Sequence, residues 1–150
     1  MPASARKQSP ASRHARLAGR SGAHASRLAP AVLVVDDDMD ARSIYTQYLR
    51  MMGCAVFTAT NGRSAVEKTL DLGPDLIVMD LAMPGMNGYE AMRELRESSW
   101  TARIPIIAVS AVPMSRNAAF DAGCDAYLAK PCTPDVLWAQ IRALLRLPNS

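Results

Sequence analysis

Residues 31–38 read AVLVVDDD, so five apolar residues run directly into three aspartates. A continuous, β-branched run of this length is typical of a strand that is buried on both faces, as in a parallel sheet. The acidic residues begin where such a strand would end. The stretch therefore predicts a buried strand with a group of carboxylates at its carboxyl end.

The same alternation of apolar run and helical pattern continues along the chain. Further strands are predicted at 56–59, 76–80, 104–110 and 126–128, and helices at 39–52, 62–70, 89–97, 115–122 and from Pro134 to near Pro148, the last capped by Thr133. The first helix is expected to place Ile44, Tyr48, Leu49 and Met52 on one side. Five strands alternating with five helices predict an α/β fold, a doubly wound parallel sheet with helices on both faces.

Composition excludes several classes of protein. Apolar residues make up 49% of the chain and charged residues 21%, which favours a packed core over general disorder. No apolar run approaches the roughly 20 residues that span a bilayer, so no membrane association is expected. The three cysteines, at 54, 124 and 132, are odd in number and lack zinc-ligand spacing, which argues against a disulfide scaffold and favours a reducing, cytoplasmic location.

Charge is distributed unevenly along the chain. Residues 1–30 contain six basic side chains and no acidic one, whereas the remaining 120 contain 11 basic and 14 acidic side chains. Because residues 1–30 are also poor in large apolar side chains, we expect a disordered basic tail there and a single domain over residues 31–147. The overall net charge of +3 is therefore no sign of a nucleic-acid-binding domain, and no specific nucleic acid is expected as a partner.

Polar side chains follow the predicted strands at the edge where open α/β sheets place their sites. They are Asp36, Asp37, Asp80, Ser110 and Lys130. Three carboxylates gathered at one edge repel one another unless a cation lies between them, and oxygen ligands of this kind suit Mg²⁺. With an ammonium and a hydroxyl beside them, they indicate a phosphoryl-transfer site in which an aspartate can act as the nucleophile.

Four motifs in order resemble the receiver domain of bacterial two-component response regulators. They are VVDDD at 34–38, DLAMPGMNG at 80–88, SA at 110–111 and KP at 130–131, and the resemblance covers about residues 31–147. It implies a flavodoxin-like sheet with strand order 2-1-3-4-5. It also implies a phosphorylation-dependent signalling switch, similar to a stand-alone chemotaxis regulator, and not an enzyme.

The resemblance implies a role for each acidic residue at this edge. Asp80 matches the phospho-acceptor, Asp37 the direct Mg²⁺ ligand, and Asp36 the neighbouring acid that binds the metal mainly through water. The backbone carbonyl of Ala82 matches a further metal ligand.

The resemblance also implies how the phosphoryl group is bound and sensed. Lys130 is expected to pair with a phosphoryl oxygen, and the Lys130–Pro131 bond to be cis. Ser110 matches the switch hydroxyl, and Tyr127 the aromatic side chain whose rotamer follows it. Phosphorylation would then change the surface of the fourth helix, fifth strand and fifth helix.

The expected partners are a sensor histidine kinase or phosphotransfer protein and a downstream protein target. The domain is expected to be a monomer, or a weak dimer on activation. Because only two residues follow Pro148, we expect no DNA-binding output domain. Two alternatives stay open: a haloacid-dehalogenase-like Mg²⁺-dependent phosphatase, whose D-x-D pattern fits Asp36-Asp37-Asp38, and a degenerate receiver used only for docking.

Overall fold

The computed structural model of the protein describes residues 29–83, 85–112 and 115–148. Most of the predicted basic tail, residues 1–28, lies outside the described residues. The described residues form five strands: β1 (Ala31–Val35), β2 (Ala55–Ala59), β3 (Leu76–Asp80), β4 (Ile106–Ser110) and β5 (Ala126–Ala129). Five helices of this part of the chain alternate with the strands: α1 (Met39–Met51), α2 (Gly62–Leu72), α3 (Gly88–Glu97), α4 (Arg116–Ala122) and α5 (Pro134–Leu145).

The strands form one parallel sheet in the order β2-β1-β3-β4-β5, as predicted. Because β1 is flanked by β2 on one side and β3 on the other, the connections that follow β1 and β3 leave the sheet in opposite directions. Such a switch point opens a crevice at the carboxyl ends of the strands. The edge that carries Asp36 and Asp80 is therefore the edge where a site is expected.

Two apolar clusters, one on each face of the sheet, form the core. Alternate residues of β1 enter different clusters: Leu33 and Val35 one, Val32 and Val34 the other. Helices α2, α3 and α4 cover the first face, and α1 and α5 cover the second. Burial of all five strand residues explains why the sequence of β1 is continuously apolar instead of alternating.

The prediction of which residues of α1 face the sheet is only partly right. Leu49 is fully buried, but Ile44 is 55% exposed and Met52, just past the helix, is 39% exposed. Tyr45 and Thr46 take the inward positions instead. Apolar residues occur on both sides of this helix, so periodicity alone could not identify the side that faces the sheet.

Several element ends differ slightly from the sequence prediction. Strand β4 begins at Ile106 instead of 104, and Pro105 just before it contributes its carbonyl oxygen to the sheet by accepting from Ile77 N at 2.9 Å. Helix α2 continues to Leu72 and ends at Gly73, whose φ of 56° is left-handed. Thr133 occupies the N-cap position of α5 as predicted, but its side chain makes no capping hydrogen bond. None of the described helices is long and apolar enough to span a lipid bilayer.

Candidate functional site

Three carboxylates meet at the carboxyl edge of the sheet. Asp36 and Asp37 directly follow β1, and Asp80 is the last residue of β3. Each offers an oxygen that lies within 4.8 Å of an oxygen of the other two. Asp36 and Asp80 are only 3% and 5% exposed, whereas Asp37 faces solvent. The cluster is thus open on the side of Asp37 and enclosed by protein on the other.

Lys130 supplies a positive charge to this cluster. Its Nζ lies 3.1 Å from Asp36 Oδ2 and 3.8 Å from Asp80 Oδ2. Its backbone N–H donates to Ser110 O at 2.8 Å, which attaches the residue to the end of β4. The Lys130–Pro131 peptide bond is cis, as the resemblance implied.

The three carboxylates of this cluster outnumber the one ammonium of Lys130. Burial, reinforced by the nearby charge of Asp36, raises the pKa of Asp80 to about 6, despite the opposing effects of the Ala82 N–H and Lys130. Burial acts to lower the pKa of Lys130, but its hydrogen bond to Asp36 and the charges of Asp80 and Asp36 outweigh burial and raise it. An excess of negative charge in a partly buried site favours a bound cation.

The donor set fits Mg²⁺ in its chemistry. Mg²⁺ prefers hard oxygen ligands, takes one or a few carboxylates and keeps several waters or phosphate oxygens. Asp36, Asp37 and Asp80 offer such oxygens with an open side for the remaining ligands. Ala82, the expected source of a carbonyl ligand, is exposed two residues after Asp80, and its N–H donates to Asp80 Oδ1 at 3.2 Å.

The start of α1 holds Asp36 in place. Asp36 Oδ1 accepts from Asp38 N at 2.9 Å, and the Asp36 carbonyl accepts from Arg42 Nη1 at 2.9 Å. Asp38 itself is the N-cap of α1, where its side chain accepts from Asp40 N. Sequence reasoning missed the role of Arg42, although its position one turn into α1 is the signal that could have identified it.

Gly88, at the start of α3, determines how closely this helix approaches Asp80. A Cβ atom at this position would lie 2.3 Å from Asp80 O and 2.8 Å from Leu81 Cα. The Gly88 N–H donates to Leu81 O at 3.3 Å. The glycine in the predicted 83–88 loop therefore allows the helix to pack directly against the end of β3, a contact that the sequence reading did not identify.

Among the described residues, neither of the two expected switch residues hydrogen-bonds to the carboxylates. Ser110 is buried at the end of β4, and its Oγ accepts from Val112 N at 3.0 Å. Tyr127 is half-buried, and its hydroxyl shares a hydrogen bond with Ser115 Oγ and lies 3.4 Å from Val112 O. The loop around Val112 thus connects the two residues in this structure.

Comparison with known proteins shows the same domain over nearly the whole described chain. Residues 32–142 match the family model of the response regulator receiver domain. The transcriptional regulatory protein ResD of Bacillus subtilis is 39% identical over 117 residues, 77% of this chain and 48% of ResD. The transcriptional regulator RpaA of Synechocystis is 34% identical over 119 residues, 78% of this chain and 49% of RpaA. The chain thus spans about half the length of these curated relatives.

Solved structures show the same fold. The chemotaxis response regulator CheY4 of Vibrio cholerae superposes with a TM-score of 0.73 at 28% identity, covering 77% of this chain and 98% of that one. The receiver domain of a sensor histidine kinase from Pseudomonas aeruginosa, with magnesium coordinated in its active site cleft, has a TM-score of 0.74 at 30% identity and covers 79% and 98%. These similarities confirm the receiver prediction and give no support to the phosphatase alternative.

Proposed function

The chain belongs to the response regulator receiver family, and from this premise we propose that Asp80 accepts the phosphoryl group that operates the switch. The observation that carries the proposal is the place of Asp80: a buried carboxylate at the end of β3, with Asp36 and Lys130 beside it and Asp37 on the solvent side. A buried nucleophile with charged groups on two sides suits transfer of a doubly charged group.

In this proposal the acidic residues hold a divalent cation. Asp37 and Asp80 would bind Mg²⁺ directly, Asp36 would bind it mainly through water, and the carbonyl of Ala82 would supply a further oxygen. When bound, Mg²⁺ would neutralise charge on the phosphoryl oxygens. The bound magnesium of the Pseudomonas receiver domain supports this choice of metal.

The transfer itself is a displacement at phosphorus. A carboxylate oxygen of Asp80 forms a bond to the phosphorus atom while the bond between phosphorus and the imidazole nitrogen of a phosphohistidine breaks. The electron pair of that bond leaves with the imidazole. Lys130 shifts its ammonium from the Asp80 carboxylate to a phosphoryl oxygen, which it reaches from its position between Asp36 and Asp80.

The new charge is then sensed by the residues at the end of β4. Ser110 gives up its hydrogen bond with Val112 N and turns its hydroxyl towards the phosphoryl group. Tyr127 shares the loop at Val112, so its rotamer follows this change. The result is a shift of population towards a different α4–β5–α5 surface, and not a chemical product released by an enzyme.

The partners follow from this chemistry. The phosphoryl donor is a sensor histidine kinase or a phosphotransfer protein, and a downstream protein recognises the altered surface. Because a phosphohistidine donor obtains its phosphoryl group from ATP and the three cysteines are free thiols, the proposal places the domain in the cytoplasm.

The test is covalent labelling with a small phosphodonor, acetyl phosphate, in the presence of Mg²⁺. Intact mass should show one added phosphoryl group on the wild type and none on Asp80→Asn. An Asp40→Asn variant, which removes an exposed carboxylate of α1 outside the cluster, should be labelled like the wild type. Labelling that survives Asp80→Asn, or a wild type that neither binds Mg²⁺ nor accepts label, would contradict the proposal.

A further inference from the structure

The proposed phosphate-binding lysine lies in a short loop, residues 130–133, that joins β5 to α5. Among the described residues, two hydrogen bonds tie the backbone of this loop to elements other than α5. The Lys130 N–H donates to Ser110 O at 2.8 Å, and the Tyr45 hydroxyl donates to Cys132 O at 2.8 Å. Lys130 therefore has one anchor on the β4 side, and a second on α1 just beyond the proline.

Tyr45 is itself held firmly. It is 6% exposed and belongs to the apolar cluster that joins α1 to α5, together with Leu49, Leu137 and Ile141. Burial, followed by the nearby Cys132 and Asp36 side chains, raises the pKa of Tyr45 to about 12. The hydroxyl consequently remains protonated, and remains a hydrogen-bond donor, at any pH at which the site would work.

We propose that Tyr45 is a positioning residue for phosphoryl transfer: its hydroxyl fixes the 130–133 loop and thereby holds the Lys130 ammonium between Asp36 and Asp80. This inference rests on the proposed function of Asp80. A lysine side chain has four rotatable carbon–carbon bonds, so its ammonium keeps a defined place only if its backbone is anchored. Without the bond to Cys132 O, the loop beyond Pro131 loses its hydrogen bond to α1, and Lys130 samples more positions.

Removing single tyrosine hydroxyls from α1 tests the positioning role of Tyr45 directly. Tyr45→Phe removes the hydrogen bond and keeps the ring, and Tyr48→Phe is the matched control. Tyr48 is half-buried against the same cluster, and its hydroxyl makes no hydrogen bond to the described residues. The probe is beryllofluoride with Mg²⁺, which imitates the phosphoryl group on the aspartate.

The expected result is a beryllofluoride Kd about three- to tenfold higher for Tyr45→Phe, the effect of one lost hydrogen bond. Tyr48→Phe should bind beryllofluoride like the wild type. The Kd for Mg²⁺ alone should be unchanged in Tyr48→Phe. Urea unfolding curves check that both variants are folded under the assay conditions.

A double-mutant cycle separates positioning of Lys130 from a general effect on the fold. In a Lys130→Ala background, Tyr45→Phe should have no further effect on the beryllofluoride Kd, because the group that it positions is gone. An equal loss in both backgrounds, or wild-type affinity in Tyr45→Phe, would overturn the inference. If the wild type itself binds no beryllofluoride and takes no label at Asp80, the proposed function fails instead.

Discussion

Asp80 is buried beside Asp36, and the two carboxylates share the single ammonium of Lys130. Such an arrangement is unfavourable for folding, since buried charge of one sign is only partly compensated. It is favourable for a site that binds a cation and a phosphoryl group together, because both find their counter-charges already in place. At the residue scale, the electrostatics of the site therefore favour binding over stability.

Gly88 is the residue whose size matters most to the position of Asp80. Gly88→Ala places a methyl group against the backbone of Asp80 and Leu81, which has to move to admit it. We expect the free energy of unfolding to fall by about 1–3 kcal/mol and the affinity for Mg²⁺ to fall with it. Urea unfolding and metal titration measure the two effects.

Gly85→Ala is the control for this prediction. Gly85 lies in the same loop with open space around its Cβ position, but its φ is +73°. Alanine there should cost roughly 1–2 kcal/mol through backbone strain and leave the affinity for Mg²⁺ unchanged. A Gly88→Ala protein that binds Mg²⁺ like the wild type would show that the close contact does not position Asp80.

Cys54 makes the stability of the fold depend on pH in the alkaline range. Burial raises the pKa of its thiol from 9.0 to about 11. Below pH 9 the thiol is protonated in both states, whereas between pH 9 and 11 only the unfolded chain releases the proton, so stability falls as pH rises. By pH 10.5 the fall due to Cys54 amounts to about 2 kcal/mol, and Cys54→Ala should lose this contribution.

Urea unfolding at pH 8 and at pH 10.5 measures this difference. Cys124, whose pKa burial also raises to about 11, should contribute a similar fall, so Cys54→Ala keeps part of the pH dependence. Removing both thiols should remove both contributions. If the free energy of unfolding falls equally between pH 8 and pH 10.5 in the wild type and in Cys54→Ala, the fall does not come from the Cys54 thiol.

At the scale of elements, α1 has two functions, one carried by its inner side and the other by its N-terminal end. Its inner side, with Tyr45 and Leu49, packs on the sheet and on α5. Its beginning, with Asp38 and Arg42, holds Asp36 by hydrogen bonds. The helix therefore connects the core to the site. The side of α1 that faces the sheet affects both the packing of the core and the position of Asp36.

Two leucine-sized side chains on α1 test which side faces inward. Leu49→Ala, at a fully buried position, should lower the free energy of unfolding by about 2–5 kcal/mol. Ile44→Ala, at a position 55% exposed, should change it by less than about 0.5 kcal/mol. Urea unfolding of the two variants decides between the observed orientation and the one that periodicity predicts. Equal losses for the two variants would be incompatible with the observed packing.

At the scale of the whole molecule, the strand order brings distant parts of the chain to one edge. Asp36 and Lys130 are 94 residues apart in sequence and 3.1 Å apart between charged atoms. The parallel sheet achieves this because strands β1, β3, β4 and β5 all end at the same edge. The site is therefore assembled only when the whole sheet is assembled, and metal binding should be linked to global folding.

Mg²⁺ should accordingly stabilise the entire domain. At a free metal concentration tenfold above the Kd, we expect a gain of about 1.4 kcal/mol in the free energy of unfolding. Asp37→Asn, at an exposed position, should leave the metal-free stability nearly unchanged and reduce the gain. Asp40→Asn should keep the full gain. Thermal unfolding with and without Mg²⁺ measures all three proteins, and a wild type that is indifferent to the metal would contradict a cation site at Asp36, Asp37 and Asp80.

The amino-acid sequence by itself determined the α/β class, the number of elements and the acidic edge of the sheet. Buried parallel strands require continuous apolar runs, and the polar residues that end them are visible in the local sequence of β1 and β3. The tertiary structure alone decided which side of α1 is buried, that Gly88 admits α3 against Asp80, and that Tyr45 reaches Cys132. These features depend on which side chains meet across the fold. Tyr45 and Cys132, for example, are 87 residues apart in the sequence, and no local pattern predicts such a contact.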